Sequence, residues 1–205
     1  DRLLQAHEDG RVVFFCGAGI SYPAGLPGFD GLVKRLYEDL HPLPNAVQRA
    51  AIKAKQYDTA VGLLEADIVG GREKVRKALA DILTPKLSVS RNAIATHESL
   101  LTLARSREGQ TRLVTTNFDR LFEEVISNKA LEIQGFEAPL LPVPKNRWDG
   151  LVYLHGLLGL EPSTNDLDRL VISSGDFGLA YLIERWAARF VSELFRNYTV
   201  CFVGY

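Results

Sequence analysis

The sequence predicts an α/β fold, a Rossmann-like doubly wound and mostly parallel sheet, and three observations carry that expectation. Short β-branched or aromatic apolar runs recur at 11–16, 112–116, 150–155, 169–174 and 198–204, as expected of strands covered on both faces. Amphipathic helical patterns lie between them. The first run, "RVVFFC", leads straight into Gly17-Ala18-Gly19, where a missing Cβ lets the backbone approach a diphosphate closely.

Each element follows from its residues. After the first strand, Leu32, Val33, Leu36 and Leu40 share one face of a helix over 30–41. Residues 43–95 break the alternation with helical signals alone. Ala46, Val47, Ala50, Ala54, Tyr57, Val61 and Leu64 are followed by Val75, Leu79, Ile82 and Leu83, with the breaker "VGG" at 69–71 between them. This region reads as a helical insertion beside the sheet. The run at 112–116 precedes a helix over 118–127 with Leu121, Phe122, Val125 and Ile126 on its apolar face. The run at 150–155 ends in His155, and the run at 169–174 precedes one long final helix lined by Leu179, Leu182, Ile183, Trp186, Phe190 and Leu194. The last strand, 198–204, ends in Gly204.

Composition sets bounds on function. A length of 205 residues, 46% hydrophobic and 24% charged, suits one domain over 1–205 that carries the insertion within it. A net charge of −1 without a Lys/Arg block excludes a general pull toward nucleic acid, so no direct nucleic-acid partner is expected. Cys16 and Cys201 each sit inside an apolar run, where buried thiols are common. A reducing cytoplasm is therefore the expected compartment. No signal-like stretch opens the chain and no apolar run approaches the roughly 20 residues that span a bilayer, so no membrane partner is expected. The chain contains no Met and stops within "CFVGY", which suggests a piece of a longer protein.

The glycines alone leave two readings open. The dinucleotide fingerprint Gly-x-Gly-x-x-Gly would need glycine where Tyr22 stands, so the pair suits a structural turn nearly as well as a phosphate seat. Together, however, "GAGIS" with "AGLPGF", "VTTNFDRLFEEV" (114–125), "LVYLHGLLG" (151–159) and "VCFVGY" (200–205) resemble, in family order, the motifs of the Sir2 or sirtuin superfamily. Each falls at the C-terminal end of an expected strand, the edge where open α/β sheets bind ligands. The departures point within the family. Sirtuin deacetylases carry paired Cys-x-x-Cys zinc ligands and an Arg after the loop phenylalanine, whereas this chain has two distant cysteines and Asp30 there. It therefore has no zinc module and no expected metal. The peptide-docking loop also has no counterpart in "GLLGLEPSTNDLDRL". The resemblance is thus to bacterial Sir2-like NAD hydrolases, effector domains of anti-phage defence.

That resemblance implies NAD as a substrate to be cut and assigns roles. Gly17, Ala18, Gly19, Ile20 and Ser21 would seat diphosphate and ribose, and Pro27 and Phe29 would belong to a covering loop. Thr116, Asn117 and Asp119 of the second motif, with Gly204 of the last, would complete the NAD site. Asn117 joins a donor and an acceptor on one amide, suited to a nicotinamide carboxamide or to the attacking water. His155 can accept a proton from a ribose hydroxyl or water. Asp119 could bind the carboxamide nitrogen or orient its neighbours. Plainer roles stand beside these: Asn117 as N-cap of 118–127 and Asp119 as a first-turn carboxylate; Ser173, Ser174 and Asp176 could line the pocket or, equally, form a turn and cap. Phe29 and Trp186 suit packing, Phe29 being also placed to cover nicotinamide as the family's loop aromatic does. His7, His41 and His97 read as surface or locally bonded residues. The resemblance further implies a fused or associated sensing module (Argonaute-like, ATPase or nucleotide-signal receptor), an active oligomer and NAD depletion. Protein deacylation, ADP-ribosyl transfer and binding without turnover are the alternatives.

Overall fold

A computed structural model describes residues 2–41, 43–84, 92–146 and 148–205 of the chain. Strands β1 (Val12–Cys16), β2 (Arg112–Thr115), β3 (Gly135–Glu137), β4 (Gly150–Tyr153) and β5 (Thr199–Val203) form one sheet in the order β3-β4-β2-β1-β5. Every pairing is parallel. Helices α1 (Arg2–Glu8), α2 (Phe29–Leu40), α3 (Ala46–Lys53), α4 (Tyr57–Asp67), α5 (Gly71–Leu83) and α6 (Ala95–Ala104) precede β2. Helices α7 (Leu121–Asn128), α8 (Thr164–Asp168), α9 (Ser174–Phe177) and α10 (Trp186–Asn197) follow it.

Period-2 alternation sends the strand side chains to two different cores. Phe14, Cys16, Leu113 and Leu151 pack with Leu100 and Leu101 of α6 and Phe122 of α7. Val13, Phe15, Val114 and Val152 pack with Phe190 and Leu194 of α10. The sheet is therefore covered on both faces, as its apolar runs require. A third cluster joins Leu36 of α2, Leu64 of α4 and Val75 and Leu79 of α5, and reaches Leu170 and Ile172. Helices α3 to α5 lie in the region 43–95, of which 85–91 fall outside the described residues. The breaker works as glycine allows: Gly70 and Gly71 adopt φ of +94° and +50° between α4 and α5.

A buried ionic network fastens this helical region to the connection before α9. Arg76 of α5 is 0% exposed. It pairs with Glu65 at 2.7 Å and with Asp176, and donates to the Leu170 carbonyl at 2.6 Å. Arg72, one turn earlier, reaches Asp168 at 2.8 Å, Asp176 at 2.9 Å and Glu65 at 3.3 Å.

Two expectations are corrected. Residues 169–174 form no strand: Leu170, Val171 and Ile172 are buried in an irregular stretch, with Val171 N–H bonded to the His155 carbonyl at 2.9 Å. The place beside β4 belongs to β3, whose Gly-Phe-Glu carries no apolar run. The single long final helix is also broken. A π-helical turn covers Gly178–Ile183, closed by Glu184 N–H to the Leu179 carbonyl at 2.9 Å, and Arg185 adopts φ +63° before α10 begins. A π turn shifts the helical phase, so Leu182 and Ile183 are 76% and 75% exposed while Phe190 and Leu194 stay in the core.

The chain winds from β1 to β2 on one side and brings β5 in on the other, so the switch point lies beyond β1 and β5, at Gly17 and Gly204. There the glycines serve the approach of backbone to backbone. Gly17 N–H donates to the Val203 carbonyl and Gly19 N–H to the Gly204 carbonyl, both at 2.9 Å. A Cβ on Gly204, at φ +75°, would stand 2.7 Å from the Ile20 nitrogen. Gly204→Ala is therefore expected to lower the urea-derived unfolding free energy by about 1–3 kcal/mol. An unchanged urea midpoint would show that the crossing relaxes freely.

Candidate active site

A cavity of about 380 Å³ opens at the C-terminal edge of the sheet. The turn after β1 contributes Ala18, Gly19 and Ser21, the loop before α2 contributes Pro27, and the first residue of α2 is Phe29, also in the lining. The segment after β2 contributes Thr116, Asn117 and Asp119, while His155 comes from the end of β4 and Gly204 from the end of β5. Four regions far apart in sequence, 18–29, 116–119, 155 and 204, thus line one cavity. Leu26, Leu32, Phe118, Val171 and Phe177 make the rest of the lining largely apolar. Gly17 stands behind the wall in the crossing with β5, and the Ile20 side chain packs into the core with Leu26 and Leu113. The amides of Gly17 and Gly19 are engaged by β5 carbonyls, so those two are already bonded within the fold.

The polar part of the wall is a buried cluster centred on Ser21. Its hydroxyl donates to Asp119 Oδ2 at 2.8 Å and accepts from Asn117 Nδ2 at 3.1 Å, with His97 Nε2 at 3.4 Å. Asn117 is 6% exposed, and its Oδ1 is buried without a partner. Burial pushes the Asp119 carboxyl up, against the opposing pull of its bonds from Ser21 and the Leu121 amide. The backbone explains the placement: Asn117 N–H is bonded to Thr115 Oγ1 at 3.1 Å, and α7 begins only at Leu121. Asn117 is therefore not the cap of that helix. Asp119 Oδ1 accepts from Leu121 N–H at 3.1 Å and supplies the capping acceptor instead.

His155 is held by aromatic neighbours. Its Nε2 lies 2.9 Å from the Tyr181 hydroxyl, and its ring meets Phe177 edge-on at 5.1 Å. Phe177 and Tyr181 stack on each other at 5.9 Å. Ser173 and Asp176 form a reciprocal cap on α9, which sets Phe177 in place. Burial pushes His155 down to about 4 and Tyr181 up to about 12, so both are neutral at pH 7. An NMR titration of the His155 ring is expected to show a midpoint well below the ordinary 6.5, and a midpoint at or above 6.5 would contradict this burial. Because the unfolded chain takes up that proton first, His155 costs the fold stability as pH falls from 6.5 toward 4.

Several site residues escaped the sequence reading. His97 is wholly buried and bonded across 76 residues, neither surface nor local. Its spacing with Leu100, Leu101 and Ala104 places it on the buried stripe of α6, a signal that could have found it. His7 contacts the Leu103 carbonyl and His41 pairs with Asp67 at 3.6 Å, both away from the cavity. Tyr181 sits in the π turn, where helical periodicity misleads. Tyr205 lines the cavity with its hydroxyl 3.2 Å from Thr116 Oγ1.

Cys16 is buried and Cys201 partly so, both as free thiols. Among the described residues no three His, Cys, Asp or Glu side chains are grouped to hold a metal ion, and no helix is long and apolar enough to cross a membrane.

An all-parallel sheet with its cavity at the switch point defines a Rossmann-like α/β domain. Residues 111–205 match the family model described as the SIR2-like domain, and that match supports a Sir2-like domain here. A function that uses NAD is what the match suggests. The chain is also similar to the uncharacterized protein y4cA of Sinorhizobium fredii (strain NBRC 101917 / NGR234), at 35% identity over 210 residues. The match covers 100% of this chain and 17% of that protein.

Proposed function

We propose that this domain hydrolyses NAD at the nicotinamide–ribose bond, releasing nicotinamide and ADP-ribose. The observation that carries the reading is that Asn117, whose Oδ1 is buried and unpartnered, and His155 line one largely apolar cavity. A buried acceptor left unpaired in the free protein is costly, and a carboxamide N–H or a water hydrogen arriving with the substrate would satisfy it. Cleavage needs little acid catalysis, because the C–N bonding pair leaves on the ring nitrogen and turns a pyridinium into neutral nicotinamide. Water adds to the ribose carbon and loses one proton. His155, neutral at pH 7, is the group offered to take that proton or one from a ribose hydroxyl. Asp119 and Ser21 hold the Asn117 amide in position. Phe29 and Pro27, which line the cavity, would cover the bound nicotinamide.

In the same proposal the domain is a regulated effector that depletes NAD in the cytoplasm, works as an oligomer and answers to a sensing module. The match of this chain to 17% of a much longer protein supports an arrangement in which such a domain is one part among others. Incubation with NAD, with and without an acetylated peptide, tests the reaction. Nicotinamide release that needs no peptide is the expected result. Strict dependence on the peptide would replace hydrolysis with deacylation, and bound but uncleaved NAD would replace it with a binding module.

A further inference from the structure

The ring of His155 has one nitrogen tied and one free. Val171 N–H fixes its backbone by donating to the His155 carbonyl at 2.9 Å, and Nε2 lies 2.9 Å from the Tyr181 hydroxyl. His155 and Phe177 line the cavity, whereas Tyr181 is not among the described residues of that lining. Tyr181 therefore stands behind the ring, and Nε2 is turned away from the substrate space. Nδ1 has no hydrogen-bond partner among the described residues, yet it is not sealed: the buried side-chain atoms left unpaired among them belong to His97, Asn117 and Trp148. The two ring nitrogens point in diverging directions, so Nδ1 is the polar atom of His155 left to meet a ligand. The π turn brings Tyr181 to this place, as such turns frequently do at functional sites. It stacks Tyr181 on Phe177 at 5.9 Å, and both rings meet His155 edge-on, at 6.1 and 5.1 Å.

Burial leaves the His155 ring with one proton at neutral pH, and the bond at one nitrogen selects which nitrogen holds it. With the proton on Nε2, that atom donates to the Tyr181 oxygen and Nδ1 is a bare acceptor. With the proton on Nδ1, the Tyr181 hydroxyl donates to Nε2 and the ring offers the cavity only a donor. We propose that Tyr181 is a positioning residue: its oxygen accepts from His155 Nε2 and leaves the bare Nδ1 as the atom that takes the proton of the water or of a ribose hydroxyl. This choice rests on the hydrolase reading, because a base needs a bare nitrogen where the substrate lies. As the water oxygen bonds to the ribose carbon and the C–N pair leaves with nicotinamide, Nδ1 gains the released proton and Nε2 keeps its own. The ring is then a cation, and the Nε2–H bond to Tyr181 becomes charge-assisted and stronger. Tyr181 keeps its own proton throughout, since burial pushes it up to about 12.

Two measurements test it. In protein carrying 15N-labelled histidine, the ring signals lost in His155→Gln identify His155, and at pH 7 they are expected to show a protonated Nε2 and a bare Nδ1. A protonated Nδ1 in the wild type would overturn the proposal. In kinetics, Tyr181→Phe keeps the contacts of the ring with Phe177 and His155 and removes only the hydroxyl. It is expected to lower kcat about tenfold or more with KM within about twofold, as loss of a bond that strengthens only in the transition state should. The same variant is expected to move the His155 proton toward Nδ1. An unchanged kcat, or a loss confined to KM, would sink the idea. Thermal unfolding shows whether the variant folds, and if it does not, the tautomer of the wild-type ring decides. Nicotinamide release with a protonated Nδ1 leaves the hydrolase reading standing and overturns this one alone. No release with a protonated Nε2 overturns the hydrolase reading, and the base role of Nδ1 falls with it.

Discussion

Asn117→Ala is expected to lower nicotinamide release by about two to three orders of magnitude, the scale on which loss of one preorganised polar group at a reacting centre is felt. The substitution removes the free buried acceptor together with the donor that holds Ser21. The Ser21–Asp119 bond at 2.8 Å and the Thr115 contact to the backbone of residue 117 remain, so the fold should survive at a cost of about 1 kcal/mol. Asn117→Asp separates shape from chemistry. It preserves the outline but puts a second carboxylate beside Asp119, whose own charge burial already disfavours. Both variants should therefore be inactive, for different reasons. Steady-state nicotinamide release with a thermal midpoint as control checks this, and an alanine variant within about tenfold of wild type would remove Asn117 from the chemistry.

The sheet edge explains why so much of this site was legible. Ser21, Asn117, Asp119 and His155 each follow an apolar run, and parallel strands deliver such residues to one end. What stayed hidden has particular physical causes. Strand β3 carries only one half-buried side chain, Phe136, so it leaves no run to detect. Leu170 to Ile172 look like a strand because they are buried, yet their burial is against α2, α4 and α5 on one side and α10 on the other. Tyr181 is out of phase because of a π turn. His97 has no partner nearby in sequence, because its partner Ser21 comes from across the fold. The close packing of Gly17 and Gly19 on the backbone of Gly204 likewise leaves no signal in the sequence.

The largest effect on stability is expected at Arg76, which is not among the residues that line the cavity. Its guanidinium is wholly buried between Glu65 and Asp176, with the Leu170 carbonyl as a further acceptor. Burial by itself would raise the Asp176 carboxyl; Arg76 and the backbone amides of Ser173 and Ile172 outweigh it and hold the group below the usual range. Arg76→Met keeps much of the volume but leaves two carboxylates facing each other in a poorly solvated place. Arg72, 35% exposed at its side chain, still pairs with Asp176 at 2.9 Å and Glu65 at 3.3 Å and offsets part of the loss. Breaking a buried pair from one side costs about 3–5 kcal/mol, and with Arg72 in place urea unfolding should show a loss at the lower end of that range. Neutralising both acids as well, in Glu65→Gln with Asp176→Asn, should restore much of the loss, because the penalty lies in the orphaned charges. The sign with pH follows: the stability that Asp176 contributes is present above its unfolded value of 3.8 and is lost as pH falls through the lower folded value. Arg76→Met should flatten that acid limb. The same substitution loosens the cap that seats Phe177 against His155, so the remaining folded protein should also turn over more slowly. A loss below about 1 kcal/mol with an unchanged acid limb would mean that water reaches the network and screens it.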